Sequence, residues 1–284
     1  MQDDWKATDR LTVNIGVRYE YTTPVSEVAN RMANFDMATN SVILAKSGSI
    51  RDRALANPDR NNIAPRVGLA YQLNQHTVLR TGYGMFYTLE DAGHHNPAFN
   101  PPFSASFGYP SDQLNPSTSL RPARGFPPVG FPGGVFSNLF LSINGRPFDF
   151  PAAYSQQWNF TIDRQLGVFH IEAAYVGNKA NKLMANRNIN QPTPVAGSVN
   201  SRRIFPGWGN VTFQEPRGNS NYQAMQLKAE KRFSKGNVFL ISYTFGKAID
   251  DSDSTQLSTS SGTGNLQDQK NFRSERSPSF QNVK

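Results

Sequence analysis

Residues 220–251, SNYQAMQLKAEKRFSKGNVFLISYTFGKAIDD, form two long arms of alternating polarity folded about Lys235-Gly236. In the second arm Phe239, Ile241, Tyr243 and Phe245 fall on one face. Ser242, Thr244 and Gly246 fall on the other, and only Val238 and Leu240, near the turn, break the pattern. The first arm sets Met225, Leu227, Ala229 and Phe233 against Gln226, Lys228, Glu230 and Arg232. An ordinary soluble strand runs ~5–6 residues, whereas a tilted strand needs ~9–11 to cross a bilayer. One apolar and one charged face is what a wall between lipid and a wet lumen requires.

The rest of the chain repeats the pattern. Alternating segments fall at 11–22, 65–73, 76–88, 154–166, 168–180, 221–234 and 237–249, after a stub that ends near Trp5. Connections alternate between short ones, at Thr8-Asp9, Asn74-Gln75, Gly167 and Lys235-Gly236, and long ones elsewhere. Outer-membrane barrels have short periplasmic turns and longer extracellular loops. Aromatics on the apolar face gather at both strand ends, as at the two edges of a hydrocarbon layer. Tyr19, Tyr21, Tyr87, Trp158, Tyr175, Tyr243 and Phe245 lie towards the long loops; Trp5, Tyr71, Phe169, Phe233 and Phe239 lie towards the short turns. Arg164 and Lys231 break the apolar face only near short turns, where they can snorkel.

These features predict an all-β fold, an antiparallel up-and-down transmembrane β-barrel segment over 1–251, open or incompletely closed, with long extracellular loops. Residues 252–284 read as a polar loop or disordered tail. A soluble β-sandwich or solenoid with one wet face is the competing architecture; its strands seldom run so long. Composition agrees: mean hydropathy is −0.54, yet aromatics reach 12%. No run approaches the ~18 apolar residues of a membrane helix. Cysteine is absent, so neither a disulfide framework nor a thiolate metal site exists. The formal charge of +8 admits anionic partners, but the basic residues are scattered, and no nucleic-acid partner is expected. Met1 is followed by QDDWKATDR with no apolar leader, so the chain reads as either cytoplasmic or a piece of something longer.

The segments QDDWKATDRLTVNIGVRYEY, NNIAPRVGLAYQL, TVLRTGYGMFY, YSQQWNFTIDRQLG, IEAAYVGNKANKL, NINQP and SNYQAMQLKAEKRFSKG resemble the barrel of TonB-dependent outer-membrane receptors. The likeness is to the Oar-like group, with a carboxypeptidase-regulatory-like amino-terminal domain, and extends to about Asp251. The resemblance implies a closed barrel of about 22 strands, with a plug and TonB-contacting segment upstream. It implies transport without enzymatic activity, in contact with outer-membrane lipid and lipopolysaccharide. The TonB system would act only through the missing plug. The substrate class it leaves open is an oligosaccharide, a peptide or a chelate. A surface adhesion or structural barrel without transport is the rival reading; a plug and TonB box upstream would discriminate. A soluble basic nucleic-acid binder would instead show salt-dependent affinity.

Residue chemistry adds little catalytic signal. No nucleophile, base and orienter assemble from any motif, and no cofactor is expected. Glu90-Asp91 with His94-His95 has donors suited to Zn or Ni, yet reads better as a polar loop tip. Asp250, Asp251 and Asp253 open like a calcium loop but lack its glycine and closing glutamate. SGTG at 261–264 lacks the strand and helix of a dinucleotide site. His170 should face the lumen and His76 lie beside a turn. The aromatics of the long loop, Phe99, Phe103, Phe107, Tyr109, Phe126 and Phe131, are the candidate ligand contacts, because exposed rings can stack on sugars or peptides; they could equally pack the loop onto its own rim.

Overall fold

The computed structural model describes residues 2–88, 100–104, 141–233, 236–251 and 268–279. The main sheet is built from β1 (Gln2–Thr8), β2 (Leu11–Tyr19), β5 (Ile63–Asn74), β6 (Thr77–Thr88), β8 (Ala153–Leu166), β9 (Phe169–Asn188), β10 (Val211–Arg232) and β11 (Val238–Asp250). These lie side by side in that order, each antiparallel to the next. Short β12 (Ser277–Pro278) adds to the outer end of β11, and β7 (Ile143–Gly145) joins β10 in parallel, making ten strands. A separate hairpin, β3 (Ala33–Asp36) and β4 (Ser41–Leu44), turns at Asn40, where φ is +50°. The one α-helix among the described residues, α1 (Ile50–Ala54), is closed by a Ser49/Asp52 capping box. No helix among the described residues is long and apolar enough to cross a membrane.

The apolar face is bare. Trp5, Ile15, Ile241, Tyr243 and Phe245 are each more than half exposed, which water does not tolerate over so wide a surface. One continuous row across the ladders runs Trp5, Val13, Leu69, Thr81, Phe160, Tyr175, Met225, Phe245. Trp5 stands three residues before the end of β1, Met225 seven before the end of β10. The row therefore climbs from the short-turn end towards the long-loop end. Such a stagger is what tilted barrel strands require. Among the described residues β1 does not pair with β11 or β12, so the sheet is open, as the sequence predicts.

Small residues allow close packing on the lipid face. Gly177 lies opposite Trp158, and a Cβ there would fall 2.2 Å from the indole. At the short-turn end Lys231 Nζ lies 5.1 Å from the ring centre of Phe169 and 4.7 Å from that of Phe233, the cation–π seat of a snorkelling side chain.

Two boundaries differ from the sequence reading. β9 continues to Asn188 and β10 begins at Val211, so much of 181–219 is strand rather than polar loop. Above the lipid boundary a strand loses its apolar partners and its alternation while keeping its ladder. Pro216 and Gly218, which look like loop punctuation, sit at register shifts in that ladder. Within 252–284, read as a polar loop or disordered tail, residues 268–279 pack against the wall. Phe272 is buried against Ala185, Arg217 stacks over its ring at 4.6 Å, and β12 pairs with β11.

Candidate functional site

The outer extensions of β9 and β10 carry a crown of loops. Its core is Phe35, Ile143, Ile189, Trp208, Val211 and Phe213, all buried. Phe35 meets Phe205 and Trp208 edge-on, with ring centres 5.1 and 6.0 Å away. Val211, Thr212 and Phe213 at the start of β10 pair with β7, so the crown is continuous with the wall.

Asparagines lock the loops together. Asn190, fully buried, donates from Nδ2 to the carbonyls of Phe205 (3.1 Å), Trp208 (3.1 Å) and Gly209 (2.8 Å), while its Oδ1 accepts from the Phe205 amide. Asn100 donates to the Ala33 and Asn144 carbonyls and accepts from the Asn144 amide. Asn34 exchanges two bonds with the Arg146 backbone. An amide side chain that donates and accepts at once satisfies backbone groups no ladder reaches. Arg187 and Arg217 close on Glu215 at the rim.

Below the crown, the lumen face carries charge and small residues. Arg66 stacks over Phe86 at 4.6 Å, with Gly84 beneath that ring. Asp4 is paired with Asn14, and Ser155 with Asn178. Towards the short turns Arg80 Nη1 lies 2.6 Å from Asp163 Oδ2, and His170 Nε2 lies 2.6 Å from Asp163 Oδ1. His170 thus faces the lumen as expected, and His76 lies exposed in its turn.

Of the six predicted ligand-contact aromatics, Phe103 lies among the described residues. It is 41% exposed, on a turn whose amides at Phe103 and Ser104 donate to the Asn100 carbonyl. Phe99, Phe107, Tyr109, Phe126 and Phe131 lie outside the described residues, as do Glu90, Asp91, His94, His95, Asp253 and 261–264. Asp251 has a structural role: it accepts from the Asn219 amide and side chain and pairs with Arg276 at 3.2 Å. The asparagine anchors were not singled out by sequence reasoning, although Asn190 lies in the quoted NINQP stretch.

Three crown carboxylates sit below the ordinary carboxylate range. The Arg31 amide holds Glu27 down, the Thr39 hydroxyl holds Asp36, and the Ser49 hydroxyl holds Asp52. A depressed folded value stabilises the fold above the unfolded pKa, about 4, and that contribution is lost as pH falls through the folded value. The crown should therefore be indifferent to pH between about 7 and 5 and loosen below about 4. Fluorescence of buried Trp208, taken as the difference from a Trp208→Phe variant, checks this. Loosening as pH rises from 5 to 8 would contradict it.

A tilted antiparallel sheet with one lipid-facing and one wet face, crowned by loops on one side only, defines a membrane β-barrel wall. The chain belongs to the family described as outer membrane beta barrel domain, which matches residues 1–284. Its place is accordingly the outer membrane. No curated protein sequence matches it. Among solved structures it is similar to a chain of the FpvAI–pyocin S2 complex, at 12% identity and a TM-score of 0.43, over 87% of this chain and 22% of that one. It is also similar to the copper transporter OprC, at 12% identity and a TM-score of 0.44, over 88% and 31% respectively. The outer membrane transporter YddB from Escherichia coli is 14% identical with a TM-score of 0.44, over 89% and 33%. The chain spans about a fifth to a third of the length of these proteins.

Proposed function

We propose that this chain is the barrel portion of a TonB-dependent outer-membrane transporter of the Oar-like type, supplying wall and substrate-contact loops. The observation that carries the reading is the crown: loops from four parts of the chain share one core above a charged lumen, a placement suited to capturing a solute before entry. The residues assigned to contact are Phe99, Phe103, Phe107, Tyr109, Phe126 and Phe131, on oligosaccharides, peptides or chelates that present an apolar or π face. Energy coupling would come from a plug that engages TonB, and the wall itself performs no covalent chemistry.

The test is uptake of labelled oligosaccharide, peptide and metal-chelate panels by cells carrying the full-length receptor. Saturable uptake that collapses when TonB is deleted supports the reading. Surface binding with no TonB-dependent uptake would instead make the protein an adhesin. Phe103→Ala should weaken binding of the captured solute about 2- to 10-fold, the worth of one aromatic contact, and leave membrane insertion intact. Unchanged binding would remove Phe103 from the contact surface.

A further inference from the structure

We propose that Asp163, His170 and Glu172 form a binding site for a divalent transition-metal ion, of the Zn2+ or Cu2+ class, on the lumen wall beside the Gly167 turn. One ligand atom from each residue lies within 4.8 Å of the others. Asp163 and Glu172 are direct cross-strand partners on β8 and β9, and His170 is two residues from Glu172 on the same face. The ladder, rather than the side chains, sets their spacing, so the site is largely organised before any ion arrives.

A second observation points to a ligand. The Asp163 side chain is 6% exposed, and its Oδ2 is taken by Arg80. Its Oδ1 has no solvent contact and no hydrogen bond of good geometry, and is paired only with His170 Nε2, 2.6 Å away. A carboxylate oxygen and an imidazole nitrogen so close are bridged either by a proton on Nε2 or by a metal ion that both ligate. Glu172 adds to the demand. Among the described residues it makes no ion pair or hydrogen bond, because Lys228, opposite it on β10, turns to Glu230 at 3.6 Å. Two carboxylates against one guanidinium leave the cluster one negative charge in excess when the imidazole is neutral.

The donor set selects the class of ion. One imidazole and two carboxylates suit Zn2+, Cu2+ or Ni2+, whereas Ca2+ and Mg2+ prefer all-oxygen shells. Three protein donors leave a position open to the lumen, and His170, 47% exposed, leaves the approach clear. A bound ion would tie β8 to β9 beside their turn.

The experiment uses the full chain in detergent micelles, with Zn2+ followed by calorimetry and Cu2+ by electron paramagnetic resonance. One equivalent should bind, with hyperfine coupling from one imidazole nitrogen. His170→Gln should remove that coupling, and His170→Gln or Glu172→Gln should each weaken Zn2+ binding by more than about 100-fold, beyond the effect of losing an outer-shell partner. The double variant His94→Gln/His95→Gln should bind as wild type. Circular dichroism and heat-modifiable gel mobility establish that each variant is folded; His170→Asn stands in if His170→Gln is not. Absence of binding at micromolar Zn2+, meaning that a proton alone bridges His170 and Asp163, overturns the proposal. So does binding that survives both single variants, or binding lost in the His94/His95 variant.

Discussion

Ile241→Arg should destabilise the inserted sheet by about 2–4 kcal/mol, the penalty for a charge facing lipid near midplane. Ile241 sits between Phe239 and Tyr243 on β11, is 53% exposed, and pairs with Ala229, so no carboxylate beside it on that face can receive a guanidinium. It lies midway between the rings of Phe239 and Tyr243, with its side chain facing lipid, unlike Lys231 at the short-turn end, whose ammonium rests between two interfacial rings. Thr244→Arg, on the opposite face and paired with Gln226, should have a mild effect because its side chain points into the wet lumen. Urea unfolding in lipid vesicles measures both. Equal losses at the two positions would overturn the assignment of faces.

Phe35→Ala should unfold the crown and spare the wall. The ring is 1% exposed and packs edge-on against Phe205 and Trp208, so its removal leaves a cavity where three loops meet. Loss of a buried Phe costs about 3–5 kcal/mol. That exceeds what short loop segments can spare without a ladder of their own. The wall is expected to remain because its ladders from β1 to β11 do not run through Phe35. Limited proteolysis on intact outer membranes should then cut near 189–210 while the folded band persists on unheated gels. Protection equal to that of the wild type would show that the core of the crown does not depend on this ring.

The contrast between these variants mirrors what could be read from the residues alone. The wall was legible because lipid imposes a strict period of two, and a one-residue slip would put every apolar side chain in the lumen. The short turns at Gly167 and Gly236, both with positive φ, were legible for the same local reason. The crown was not, because its order comes from contacts distant in sequence. Asn34 meets Arg146 across 112 residues, and Trp208 reaches the Asn40 carbonyl across 168. Nothing in the local pattern of 143–145 announces that it will pair with 211–213. The outer halves of β9 and β10 escaped for a physical reason too: outside the bilayer both faces are polar, and bulges at Pro216 and Gly218 read as loop.

The candidate contacts show the same division. Phe103 was found as an exposed ring in a Pro-rich loop, but the Asn100 bonds that fix its turn were not. The carboxylate–imidazole cluster was half legible. Asp163, His170 and Glu172 alternate onto the lumen face in the sequence, yet the register that sets 163 opposite 172, the burial of Asp163 and its capture by Arg80 follow only from the folded ladder.

The central claim is that β11 crosses the outer membrane with its odd-numbered side chains in lipid from Phe239 to Phe245. The natural absence of cysteine permits a clean single-cysteine scan of that strand. Phe239→Cys, Ile241→Cys, Tyr243→Cys and Phe245→Cys should resist a membrane-impermeant maleimide in intact membranes and contact a lipid-phase quencher when labelled after solubilisation and reconstitution. Ser242→Cys and Thr244→Cys should react with the maleimide and escape the quencher. A period of two in register with those residues is the predicted result; uniform reactivity along the strand, or the same period shifted by one, would contradict the account.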